Sequence, residues 1–89
     1  MTAEHSAEIL DTEEMLRSYL AAQLKTTVEA DQDLFDSGLV NSMFAMELVV
    51  HLEQTFQIAV LGADLRLDNF RSVRSMATLV RRLRDDRGR

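Results

Sequence analysis

Ser42 stands where a polar stretch gives way to an apolar one. Residues 25–40 hold Thr26, Thr27, Asp31, Asp33, Asp36, Ser37 and Gly38, with Val28, Leu34, Phe35 and Leu39 as the apolar points that could pin them to a core. From there the chain is apolar at 43, 44, 45, 46, 48, 49, 50, 52 and 56, with neither glycine nor proline to interrupt it. This spacing predicts a helix over 42–56, and the side chain of either Asn41 or Ser42 can cap it by accepting a hydrogen bond from a first-turn amide. Capping is the ordinary role of a serine in this place. The same amides and the helix dipole favour an anion, however, so a hydroxyl here could also carry a phosphate ester.

Other chemistry has little to stand on. The absence of cysteine removes disulfides, thiolate metal sites and thiol nucleophiles, and His5 and His51 are too few to hold a zinc ion, so no metal is expected. His51 falls inside the predicted helix and reads as a solvated or half-buried helical residue rather than a general base. With no set of acid, base and nucleophile in view, a non-catalytic protein is expected. The arginines at 71, 74, 81, 82, 84, 87 and 89 could suggest a nucleic-acid module, but no interleaved aromatics accompany them. An arginine-rich, solvated helix end is the simpler account, and no nucleic-acid partner is expected.

The elements that must hold Ser42 in place are helical. Proline is absent and glycine occurs only at 38, 62 and 88. Asp11 followed by Glu14 resembles a capping box, after which Leu16, Tyr19, Leu20 and Leu24 recur at helical spacing, predicting a first helix over 12–24. Ile58 to Leu61 reads as a short extended segment, Gly62 as a turn and 64–70 as a brief third helix. Ser72 can cap a last helix on which Val73, Met76, Ala77, Val80 and Leu83 face inward. The expectation is an all-α fold in one domain over 1–89, with 1–10 and 85–89 frayed. The connection over 25–40 is longer than compact domains usually need, and such loops are functional or conceal a helical turn.

The 42–56 helix has two apolar faces. Ala45, Leu48, Val49, Leu52 and Phe56 follow core spacing, while Met43, Met46 and Val50 form a second stripe flanked by Glu47 and Glu53. Either neighbours enclose the helix on every side or the stripe meets a partner. Flexible methionines suit a surface that repacks against several proteins.

Composition bounds the setting. At 89 residues, 46% hydrophobic and 28% charged, the chain is that of a globular domain rather than a disordered one. The formal charge of −5 is uneven, with −9 over residues 1–53 and +4 over 54–89, which suggests basic partners for the first half. Glu4 and Glu8 fall where a signal peptide would need positive charge. No apolar run nears the ~18 residues of a membrane span, so a cytoplasmic protein with no membrane contact is expected.

The run Leu34-Phe35-Asp36-Ser37-Gly38-Leu39-Val40-Asn41-Ser42-Met43, followed by Glu47-Leu48-Val49 and Leu52-Glu53-Gln54-Thr55-Phe56, resembles the acyl carrier proteins, and the likeness covers nearly the whole chain. In that family the serine of an Asp-Ser-Leu motif receives 4′-phosphopantetheine from coenzyme A, and the serine matching it is Ser42. The resemblance implies a four-helix bundle with a long loop between helices I and II and a short helix III. It also implies that Met43, Met46, Glu47, Val50 and Glu53 form the surface that partner enzymes read. The partners implied are a phosphopantetheinyl transferase, enzymes that load and modify the acyl group, such as dehydrogenases, and an acyltransferase or synthase that receives it. The carrier itself is expected to be a monomer.

Two positions depart from the family's pattern. Met43 replaces the usual leucine, a volume-conserving change. Asn41 replaces the usual aspartate, keeping the capping geometry but losing a negative charge beside the serine, which is expected to weaken recognition by a phosphopantetheinyl transferase. The Ser-Met pair is similar both to D-alanyl carrier proteins and to free-standing carriers of polyketide extender-unit pathways. The wider string looks most like carriers on which methoxymalonyl- or hydroxymalonyl-type units are built. The function expected is therefore an acyl carrier in polyketide, antibiotic or other secondary-metabolite biosynthesis. The alternative is an aminoacyl or peptidyl carrier, D-alanyl or nonribosomal, that serves an adenylating enzyme. The cargo sits on the arm's sulfur and leaves little trace in the protein sequence.

Overall fold

Helix formers uninterrupted by glycine or proline carry the first element through from Thr2 to Leu24, and in this computed structural model α1 is one continuous helix over that span. The structure describes residues 2–87, and the side chains of 11–85. Of the ends expected to fray, residues 1, 88 and 89 lie outside the described residues, as does the side chain of His5, while 2–10 belong to α1 and 85–87 to the last helix. Asp11 does not open the first helix as a capping box would require. It lies well inside α1, because Ala3, Glu4, Ala7, Glu8 and Leu10 before it are themselves good helix formers. Leu16 and Leu20 are buried on its inner face, with Tyr19 and Leu24 packed against the core.

After α1 the order is α2 over Ser42–Phe56, two single 3-10 turns at Gly62–Asp64 and Leu67–Phe70, and α3 over Val73–Arg87. The described residues are thus all-helical, as expected, with three α-helices rather than four. The helix expected over 64–70 is confined to the 3-10 turn Leu67–Phe70, because Arg66 takes an extended conformation with φ −116° and ψ 137° that no helix can cross. Ser72 caps α3 as expected, its Oγ accepting from the Ser75 amide at 3.1 Å. Val73, Met76, Ala77 and Val80 of α3 are buried as expected. Leu79 joins them, while Leu83 is only partly covered.

The long connection over 25–41 is fastened rather than loose. Val28, Leu34 and Val40 are buried, and full burial of a side chain such as Leu34 contributes roughly 1.5–3 kcal/mol. Its backbone is also tied to the approach of α3, with the Leu34 amide donating to the Arg71 carbonyl at 2.8 Å and the Arg74 amide to the Ala30 carbonyl at 3.0 Å. Asp33 organises the middle of the loop, its Oδ1 accepting from the amides of Asp36 and Phe35 and its Oδ2 from the Arg71 guanidinium at 3.0 Å. Those bonds, the Asp36 amide first and then Arg71, hold the Asp33 carboxyl below the usual carboxylate range.

The uneven charge of the sequence is partly resolved by folding. Arg71 pairs with Asp33 and Asp68, Arg74 with Asp31 and with the largely buried Glu13, and Arg82 with Asp64. In Glu13, Asp31 and Asp33, acids of the first half meet arginines of the second, while Asp64 and Asp68 belong to the second half itself. This leaves less free positive charge for nucleic acid than the sequence count suggests.

Candidate functional site

The loop delivers the chain to α2 through one glycine and one buried valine. Gly38 has φ +80°, which a side chain would strain, and the buried Val40 donates its amide to the Leu34 carbonyl at 3.0 Å. Asn41 follows in an extended conformation, with φ −111° and ψ 178°, and its Oδ1 accepts from the Phe44 amide at 2.9 Å. Of the two possible caps, Asn41 is thus the one used. Ser42 becomes the first helical residue, exposed, and its hydroxyl makes no hydrogen bond among the described residues. The helix ends at Gln57, a left-handed residue with φ 59°.

The two faces of α2 separate cleanly. Leu48, Leu52 and Phe56 are buried and Ala45 and Val49 lie against the core, whereas Met43 is 79% exposed, Met46 60% and Val50 50%. No neighbour among the described residues encloses the methionine stripe. Glu47 is exposed beside it and makes no ion pair among the described residues. Glu53 differs from Glu47. It is half-buried, and its Oε2 accepts from the Val60 amide at 2.9 Å, fastening the extended segment after α2 back onto the helix.

A cleft of about 230 Å³ opens beside Ser42, between α2 and the segment 65–70. Its walls are mainly apolar, with Ala45, Met46 and Val49 on one side and Leu67 and Phe70 on the other, and Arg66 is the one charged residue among its lining. The 65–70 side of this cleft escaped the sequence reading. The alternation of Leu65, Arg66 and Leu67 was its only signal, and it was absorbed into an expected helix. His51 is turned away from Ser42 and stacks on Tyr19 of α1, ring centroids 3.6 Å apart and planes within 11°, and burial holds its imidazole below the ordinary range. No helix among the described residues is long and apolar enough to cross a membrane.

Residues 14–80 match the family described as the phosphopantetheine attachment site. The chain belongs to the phosphopantetheine-binding carrier proteins. A carrier of this family bears 4′-phosphopantetheine covalently and works with a phosphopantetheinyl transferase and with partner enzymes. Among similar proteins is the D-alanyl carrier protein of Lactobacillus delbrueckii subsp. bulgaricus, 29% identical over 56 residues that cover 63% of this carrier and 70% of that protein. The D-alanyl carrier protein of Streptococcus pyogenes serotype M1 is 42% identical over 43 residues, 48% of this carrier and 54% of that protein. The relatives named here offer no support for a polyketide setting, and they favour the aminoacyl alternative over the extender-unit reading.

Proposed function

We propose that this carrier bears its arm on Ser42 and holds an aminoacyl group of the D-alanyl type, loaded by an adenylating enzyme. The observation that carries the attachment site is the division of labour at the start of α2. Asn41 supplies the cap, so the Ser42 oxygen is left exposed and unengaged, beside first-turn amides that favour an anion. In the loading step the Ser42 Oγ attacks the phosphorus that joins pantetheine to the nucleotide of coenzyme A. A new oxygen–phosphorus bond forms, the pyrophosphate link breaks, the nucleotide leaves and the serine proton passes to the transferase. The arm then supplies a thiol on which the cargo is held as a thioester. The protein's part is to present that arm.

The cargo reading rests on the printed names of the relatives and on the Ser-Met pair. The all-helical arrangement of the described residues supports the carrier reading itself. Met43, Met46, Val50 and Glu47 are the surface we assign to partner enzymes, with Glu53 holding the fold beside them.

Intact mass spectrometry tests both parts. Incubation with coenzyme A and a broad-specificity transferase is expected to add one arm to the wild type and none to Ser42→Ala, and modification of the alanine variant would sink the attachment site. Protein purified from its native host is expected to carry an aminoacyl increment on that arm. A malonyl-type increment there would return the cargo to the extender-unit class.

A further inference from the structure

We propose that Arg66 is a positioning residue that binds the phosphodiester of the arm and turns the arm into the cleft between α2 and the Leu67–Phe70 turn. The inference rests on the assignment of the arm to Ser42. Ser42 and Arg66 line the same cleft, so a group attached to the serine starts beside a space that Arg66 also borders. Arg71, Arg74 and Arg82 are each held by carboxylates of the fold, whereas Arg66 makes no ion pair among the described residues. No carboxylate lines the cleft to compete for it. Asparagine at position 41 adds to this, since the residue preceding the serine contributes a cap without a negative charge.

The chemistry of the two groups matches. A phosphodiester keeps one negative charge throughout the neutral range, and an arginine fork offers it directed, charge-assisted hydrogen bonds that an ammonium group cannot reproduce. The extended backbone at Arg66 sets it between Leu65 and Leu67, outside the turn that follows. Beyond the cation the lining becomes apolar at Met46, Val49, Leu67 and Phe70, which suits the aliphatic part of a pantetheine chain. Because Arg66 is exposed, added salt should loosen the contact.

Holo-protein prepared with coenzyme A and a transferase, its loading checked by mass, provides the test by 31P and 1H NMR. The phosphorus resonance of the wild type is expected to lie away from its position in the urea-unfolded holo-protein, and the arm's methyl groups should show cross-relaxation to Leu67 and Phe70. In Arg66→Ala the resonance should fall to the unfolded position and the cross-peaks should vanish. Arg66→Lys should restore part of the displacement. A wild-type resonance already at the unfolded position, or cross-peaks that survive in Arg66→Ala, would overturn the proposal. Should the alanine variant resist loading, a salt titration of wild-type holo-protein decides instead: movement of the resonance towards the unfolded position supports Arg66, and an unmoved resonance rejects it. Failure of the Ser42 assignment would appear separately, as an unmodified wild type or a modified Ser42→Ala.

Discussion

Two helices of this carrier begin beside a serine, and only one of the two serines is engaged in capping its helix. Ser72 lies just before α3, and its Oγ accepts from the Ser75 amide and donates to the Ser75 hydroxyl. Ser42 comes one position later relative to its helix, after an asparagine that has already taken the capping bond. Its hydroxyl makes no hydrogen bond among the described residues. The same contrast runs through the methionines of the two helices, Met76 of α3 being fully buried while Met43 and Met46 of α2 face solvent. Residue type therefore says little here. α3 turns its methionine into the core while α2 buries Leu48 and Leu52 and leaves its methionines in solvent, and the difference lies in which neighbours each side chain is given.

The comparison breaks most completely at the serines. Ser42→Ala is expected to abolish loading while leaving stability within ~0.5 kcal/mol of wild type, since it removes no bond made among the described residues. Ser72→Ala should be loaded normally and lose about 1 kcal/mol in urea unfolding, the usual cost of a missing cap. Loading of both variants, or of neither, would remove the distinction.

The methionines provide the next largest effect. Met76→Ala opens a cavity in the core and should cost about 2–5 kcal/mol. Met46→Ala should stay within ~0.5 kcal/mol, with any loss appearing instead as slower transfer by a partner enzyme. Val49 lies only partly in the core and would be a weaker contrast than Met76.

Two glutamates sharpen the picture within α2 itself. Glu53→Ala leaves the amide of the buried Val60 without its partner, a loss of about 1–3 kcal/mol in the unfolding free energy. Glu47→Lys should leave stability within ~0.5 kcal/mol and slow association with a basic partner surface, with the gap to wild type closing as salt rises. Equal destabilisation by the two would mean that Glu53 is no more structural than Glu47.

The smallest expected effect concerns the tie between the two helix starts. Asp33 and Arg71 join the loop before α2 to the approach of α3, and the Asp33 carboxyl is held below the ordinary carboxylate pKa of about 3.9. A carboxyl lowered in the folded state stabilises it above the unfolded pKa and loses that contribution as pH falls through its own lower value. Urea midpoints of wild type and Asp33→Asn should accordingly differ at neutral pH and converge as the solution is acidified. A gap that persists in acid would show that the carboxylate's charge is not what Asp33 contributes.

Helical periodicity was legible over 42–56 because apolar residues at helical spacing, uninterrupted by glycine or proline, admit few other conformations, and the observed bounds of α2 follow it closely. The start of α1 was not, because Asp11 and Glu14 form a capping pattern wherever they occur, and the helix formers preceding them in the chain carried the helix through them. The motif around Ser42 pointed to the carrier family before any geometry was known. The role of Glu53 could not be read in that way, since its partner is the backbone of Val60, and every residue presents the same amide.

The sequence by itself determined the helical class, the amphipathic division of α2 and the family to which the chain belongs, since these follow from local spacing and from side chains that chemistry requires. Tertiary structure alone decided which of Asn41 and Ser42 would cap, which acids would be taken by arginines and that Arg66 would border the cleft beside Ser42. The reason is that hydrogen-bond partners and clefts arise between segments far apart along the chain, and the order of residues carries no record of distances that only packing creates.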